Sequence, residues 1–228
     1  MSSIKLKHSG GNSVSLNPPT SAPTSSEVAF KLPNQDGSAN QLLKTDGSGN
    51  LGWATDQGGK ILQMQQTHIT SVTTTTMSTE NDTYDITDFF VNITSTAANS
   101  KFLISALVSG EASEADHNIF FILRREISGS TTDIATGPAS GNRRAVTRQM
   151  NQGHDPESNR DSTPSSSSIP PFLDSPNQSA GTTIKYKVGA VCTLAGSVNF
   201  YLSRSHNDGN NRWHERMASY ILVQEVAA

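Results

Sequence analysis

From Lys60 to Ala228 the apolar residues of this chain fall in short runs, and no run sustains the 3.6-residue apolar period of a helix. The runs at 61–69 (ILQMQQTHI), 86–93 (ITDFFVNI), 102–108 (FLISALV), 117–124 (HNIFFILR), 183–193 (TIKYKVGAVCT), 198–203 (VNFYLS) and 217–226 (MASYILVQEV) read as strands. Weaker signals at 133–136 and 169–173 bring the expected number to about eight to ten, and the β-branched run Thr73–Thr76 favours extended backbone. Charged residues are only 16% of the chain and hydrophobic residues 33%, with Ser, Thr, Asn, Gly and Gln filling the remainder, a mixture that suits strands and polar turns better than helix bundles. The expectation is an all-β chain whose residues 60–228 form a β-sandwich of the jelly-roll kind; roughly 170 residues suit one such domain.

Residues 1–59 have a different texture. In 4–16 (IKLKHSGGNSVSL), Ile4 and Leu6 alternate with lysines, Gly10-Gly11 makes a turn, and Val14 and Leu16 alternate with serines. This predicts a hairpin with one apolar face. Two strands alone are marginal in water, so such a hairpin either docks on sister copies or a larger assembly, or is a poorly ordered terminus. The Pro-rich stretch 17–26 (NPPTSAPTSS) reads as an extended, semi-rigid linker. Next, Asp36-Gly37-Ser38-Ala39-Asn40 recurs as Asp46-Gly47-Ser48-Gly49-Asn50, each turn followed by a short apolar strand. Those strands carry Leu42, Leu43, Leu51 and Trp53, which have no evident partner in their own chain. Three parallel copies would bury them as a prism, so a homotrimer is expected.

The run from Phe30 to Trp53 (FKLPNQDGSANQLLKTDGSGNLGW) resembles a segment of marine bacteriophage virion appendage proteins, especially fibres of phages of cyanobacteria. The run 201–208 (YLSRSHND) and the final strand are similar to the last strands of their trimeric heads. The resemblance implies a virion structural protein of the tail-fibre type: an N-terminal anchor and shaft over 1–59 and a trimeric head over 60–228. Ile4, Leu6, Val14 and Leu16 would attach it to other virion proteins, and the head would meet a host-surface glycan or protein. A head fibre or capsid decoration protein of the same virion is the alternative. A glycan-cleaving depolymerase would show a larger β-helical domain, and a cellular ligand with a similar sandwich would show a signal peptide.

Two polar inserts are the candidate recognition surfaces. The segment 136–168 carries Arg143 and Arg144, and 206–216 (HNDGNNRWHER) carries Arg212, Trp213 and His214. An aromatic among Asn, His and Arg has the composition that holds a sugar face or a protein surface; packing against a neighbouring subunit is the other reading.

Several chemistries are disfavoured. A net charge of -3 with Arg143, Arg144 and Arg148 as the local basic cluster gives no phosphate-tracking stripe for nucleic acid. The longest apolar run, 118–123, is too short to insert in a bilayer as a helix. The start MSSIKLKHSGG lacks the apolar core of a signal peptide, so assembly in the host cytoplasm is expected. The single cysteine, Cys192, sits in an apolar strand as a structural thiol. Asp46-x-Ser48-x-Asn50 spaces oxygens as a calcium loop does, but Leu51 and Gln57 stand where an EF-hand needs Gly and Glu. Glu111, Glu114 and Asp116 have no spacing that defines an acid–base pair, and neither a nucleophile elbow nor a Walker loop occurs. No catalytic residue, cofactor or metal ligand is assigned; His206 and His214 are ordinary histidines unless trimer symmetry gathers them on an axis.

Overall fold

The computed structural model describes residues 4–17, 19–25, 27–55, 61–114, 118–151, 163–194, 196–210, 212 and 214–228. It divides the chain into two compact units, Met1–Gln57 and Gly58–Ala228. Among the described residues every named element is a β-strand.

The first unit holds two hairpins. β1 (Ile4–Lys7) pairs antiparallel with β2 (Ser13–Leu16), placing Ile4 opposite Leu16 and Leu6 opposite Val14. Gly11, at φ 94°, supplies the positive-φ position of the turn. β3 (Gln41–Thr45) pairs antiparallel with β4 (Leu51–Thr55), so the expectation that these strands lack a partner within the chain is corrected for their backbones. The reason is the second Asp-Gly-Ser turn. Asp46 accepts hydrogen bonds from Ser48 N (2.7 Å), Asn50 N (3.1 Å) and Asn50 Nδ2 (2.6 Å), which folds the chain back on itself. Both Asp46 oxygens are therefore committed within the turn, and the Asn50 side chain foremost holds its carboxyl below the ordinary value. The first turn does a second job: the Trp53 indole donates to Gln35 O (2.8 Å) and lies so close over Gly37 that a Cβ there would sit 2.6 Å from the ring.

The second unit is a two-sheet sandwich. Its strands are β5 (Ile61–Ile69), β6 (Thr73–Met77), β7 (Thr83–Thr94), β8 (Lys101–Ala112), β9 (Ile119–Ile127), β10 (Ser130–Ile134), β11 (Arg148–Gln149), β12 (Ser165–Asp174), β13 (Thr183–Cys192), β14 (Val198–Leu202) and β15 (Ser219–Val226). All their pairings are antiparallel. β5 and β6 together pair with β15 and β14, β7 with β13, β8 with β12, and β9 with β10 and β11. These pairings nest like a long hairpin closing from its ends, and β8–β15, β8–β14 and β9–β13 contacts then join them into two sheets. Such nested Greek keys are the jelly roll.

The alternation along β8 shows why the layers form: Phe102, Ile104, Ala106 and Val108 are buried while Leu103, Ser105 and Leu107 are only half-buried. The inward residues meet those of the other sheet, as where Phe121 on β9 packs edge-on against Phe200 on β14, centroids 5.3 Å apart. Cys192 is buried in this core. One local departure interrupts the pattern. β7 bulges between its pairings with Lys187 and Gly189, and Asp88 there adopts φ 60°.

Buried polar groups tie one end of the sandwich, where Asp174 and Glu225 both stand in register with Phe102. Arg125 on β9 donates to both oxygens of Asp174 on β12 (2.7 and 2.9 Å), and Tyr186 on β13 donates to Asp174 Oδ2 (2.8 Å), linking the two sheets. Burial, reinforced by the Asp174 charge, raises the Tyr186 pKa far above the ordinary phenol range. Glu225 on β15 is fully buried and holds the β7–β8 loop through Thr96 N (2.8 Å), Thr96 Oγ1 (2.9 Å) and Ala97 N (3.3 Å). Gln63 Nε2 donates to it at 2.6 Å.

Candidate functional site

The apolar residues expected to carry attachment lie in the first unit and stay uncovered within the chain. Ile4, Leu6, Val14 and Leu16 are 65%, 66%, 72% and 69% exposed. Directly opposed residues of an antiparallel pair share a face, so these four make one apolar surface. Leu42, Leu43 and Trp53 are likewise exposed, whereas Leu51 is half-buried beside Lys31, whose backbone accepts from Leu51 N (2.8 Å) and donates to Gly49 O (2.9 Å).

The expected recognition loops look different once folded. In 136–150 the chain is anchored: Thr147 N bonds Phe121 O (3.0 Å), Met150 N bonds Ile119 O (2.9 Å), and Met150 is buried. Arg144 donates to Thr83 Oγ1 (2.7 Å) and Asp133 Oδ2 (3.1 Å), and Arg143 donates to the Ser140 carbonyl (3.2 Å) and hydroxyl (3.0 Å). The segment is thus held against β9, whose backbone groups beyond β10 are satisfied by β11, and Arg143 and Arg144 stay exposed at the surface while making these bonds. Residues 152–162 lie outside the described residues.

Arg144 joins a charge lattice on the outer face of the β7–β13–β9–β10 sheet. Arg124 bridges Asp85 (2.6 Å) and Asp133 (2.9 Å), and Lys187 bridges Asp85 (2.8 Å) and Glu126 (2.5 Å). Burial alone would lower the Lys187 pKa, but its hydrogen bonds to Asp85 and Glu126 outweigh that and raise it. The Lys187 hydrogen bond in turn holds Glu126 below its ordinary value.

The insert between β14 and β15 carries the second candidate surface. Trp213 lies outside the described residues. His214 Nδ1 sits 3.1 Å from Gly209 O, and Arg212 makes interactions of its own within the chain. The aromatic that the structure places here is Tyr201, pointing outward from β14. His206 stacks on its ring (centroids 5.2 Å, planes 12° apart), and the Arg204 guanidinium lies 4.1 Å from its centroid. Arg204 also donates to Ser205 O and His206 O (both 2.9 Å), Glu111 accepts from His206 N (2.6 Å), and Arg216 Nη2 donates to both Asp208 oxygens (2.9 and 3.0 Å). The insert is thus a knot of paired groups around one aromatic ring. Tyr201 had a sequence signal, its outward phase in VNFYLS, but nothing in the sequence placed His206 or Glu111 beside it.

A groove of about 670 Å³ lies where β11 approaches β12, lined by Arg148, Gln149, Asn151, Ser166 and Ser168 around Met150, with no carboxylate among its described lining residues. Among the described residues, no group of three or more His, Cys, Asp and Glu side chains is placed to hold a metal ion. No helix of the described residues is long and apolar enough to cross a membrane.

No protein-family model matches the chain, and no curated protein matches it. Among solved structures it is similar, at 13% identity and a TM-score of 0.33, to the structure of infectious bursal disease virus strain Gx, over 82% of this chain and 42% of that one. It is also similar to the VP2 subviral particle of infectious bursal disease virus, again at 13% identity, with a TM-score of 0.34, over 95% of this chain and 47% of that one. The chain spans less than half the length of either, and likeness of this degree carries no inference about its role.

Proposed function

We propose that the chain is a homotrimeric virion structural protein of the tail-fibre kind, held to the particle by residues 1–59 and presenting residues 60–228 to the host surface. The observation that carries this reading is the β1–β2 hairpin, whose four apolar side chains share one face and are each about two-thirds exposed. A two-stranded hairpin with such a face is not stable alone in water, and other particle proteins or sister copies supply the missing surface. The resemblance of Phe30–Trp53 to phage fibre segments supports the same reading. Leu42, Leu43 and Trp53 then face sister copies as paired hairpins. The head contacts a host glycan or protein through the Tyr201 knot and the 206–216 insert, whose sequence carries Arg212, Trp213 and His214. Three linked copies let weak contacts act together, raising avidity through effective concentration. The particle is assembled in the host cytoplasm, and nucleic acid and membrane insertion have no part in this reading.

Gold-labelled antibody against the chain, applied to purified particles of the virus that encodes it, tests the assignment. Label on tail appendages is expected. Label spread over the shell would replace the tail fibre by a capsid decoration protein, and particles without the chain would overturn the virion role.

A further inference from the structure

The two sheets of the sandwich present unlike outer faces. One carries the Asp85–Lys187–Arg124–Glu126–Asp133 lattice, the normal covering of a sheet that faces water. On the other, register places Met64, Gln224, Leu103 and Leu173 in one row across β5, β15, β8 and β12. A second row holds His68, Tyr220, Leu107 and Ser168, and Leu222 lies between the rows, opposite Gln66 and Ser105. From Lys101 at one end to Glu111 at the other, this face carries no Asp, Glu, Lys or Arg. Met64 and Leu173 are 53% and 49% exposed, while Leu103, Leu107, Tyr220 and Leu222 are half-buried by their neighbours alone.

We infer that this face of the β5–β15–β8–β12 sheet is where the heads of three copies of the chain pack together, an inference that rests on the trimer proposed above and assigns its head interface. The occupant follows from charge. A neutral apolar face packs against copies of itself without leaving an unpaired ion in the contact, whereas nucleic acid or an anionic membrane needs basic groups it lacks. Four strands about 4.8 Å apart and about seven residues of about 3.3 Å give roughly 450 Å² of projected face per copy, a contiguous patch of the size that marks an interaction surface. Closed threefold symmetry brings one such face from each subunit to a common axis and leaves the charged sheets outside.

The test uses the full chain. Light scattering after gel filtration compares the wild type with Leu222→Arg, which sets a charge in the centre of the apolar face, and with Asn92→Arg, which sets one on the opposite sheet. Wild type and Asn92→Arg are expected as trimers and Leu222→Arg as a monomer. Should Leu222→Arg not fold, as read by circular dichroism, hydrogen peroxide oxidation of Met64 in the wild type decides. Met64 buried in the interface oxidises at least about tenfold more slowly than free methionine, since oxidation follows exposure. A wild-type trimer with Met64 oxidised at the free rate, or a trimeric Leu222→Arg, overturns this assignment and leaves the trimer standing. A monomeric wild type overturns the trimer itself, and this interface with it.

Discussion

Replacing Glu225 by glutamine keeps the side chain's shape and removes its charge. The carboxylate is fully buried and accepts from Gln63 Nε2 (2.6 Å), Thr96 N (2.8 Å) and Thr96 Oγ1 (2.9 Å). An amide offers one acceptor oxygen where the carboxylate offers two, and its NH2 meets donors already aimed at that position. Losing the charge-assisted bonds is expected to cost about 2–3 kcal/mol. The pKa supplies a second route to the magnitude. Burial would raise it, but hydrogen bonds from Gln63, Ser100 and Thr96 outweigh that and hold it at about 2, against an ordinary 4.5. At about 1.4 kcal/mol per unit that span is about 3 kcal/mol, reduced to about 2 kcal/mol by solvent screening around the exposed Thr96. Because the folded pKa lies below the unfolded one, the contribution is complete above pH 4.5 and is lost as pH falls from 4.5 through about 2. Urea unfolding at pH 7 and pH 3.5, at one fixed protein concentration, measures both effects. The gap between wild type and Glu225→Gln is expected to be about 2 kcal/mol at pH 7 and to shrink by about 1 kcal/mol at pH 3.5. A gap below about 0.5 kcal/mol, or one independent of pH, would refute the reasoning.

Three further changes test other parts of the account. Gly110→Ala drives a Cβ into the Tyr201 carbonyl and the Phe200 ring, so thermal unfolding should show a loss of about 3 kcal/mol, and a loss under about 1 kcal/mol would mean the β8–β14 crossing relaxes freely. Lys187→Met removes the main influence holding the Glu126 pKa down, and carbon-detected NMR titration should find Glu126 protonating at higher pH than in the wild type. Leu6→Asp places a charge on the apolar face of β1–β2; particle labelling should fall sharply while the unfolding temperature of the sandwich stays unchanged, and undiminished labelling would remove the hairpin from the attachment surface.

Much of the strand content was legible because alternation reports which residues share a face: β8, β9, β13 and β15 appear near where the sequence puts them. Alternation is silent on neighbours. That β8 pairs with β12 across the 136–150 segment, or that β15 returns beside β5, depends on contacts distant in sequence, so the jelly roll could be expected only as a class. The β3–β4 hairpin was hidden by the same repeat that marked it, since two similar turn-strand units invite stacking between copies, while the Asp46 hydrogen bonds fold one unit onto the other. The surfaces were less legible still. Arg143 and Arg144 sit in a polar, loop-like stretch, and only the folded position of Thr83 and Asp133 shows that Arg144 is committed to holding it. Glu225 shares the inward phase of Ile221 and Val223 on the last strand, and a carboxylate is tolerated there because the β7–β8 loop presents enough donors to satisfy it, which alternation alone does not reveal.

The solution mass of the full chain, by light scattering after gel filtration, bears most directly on the account. Three times the 24.3 kDa of one chain is the expected result. A mass of 24.3 kDa across the micromolar range would contradict it, leaving a single-copy module whose exposed hairpins find their partner only on the particle.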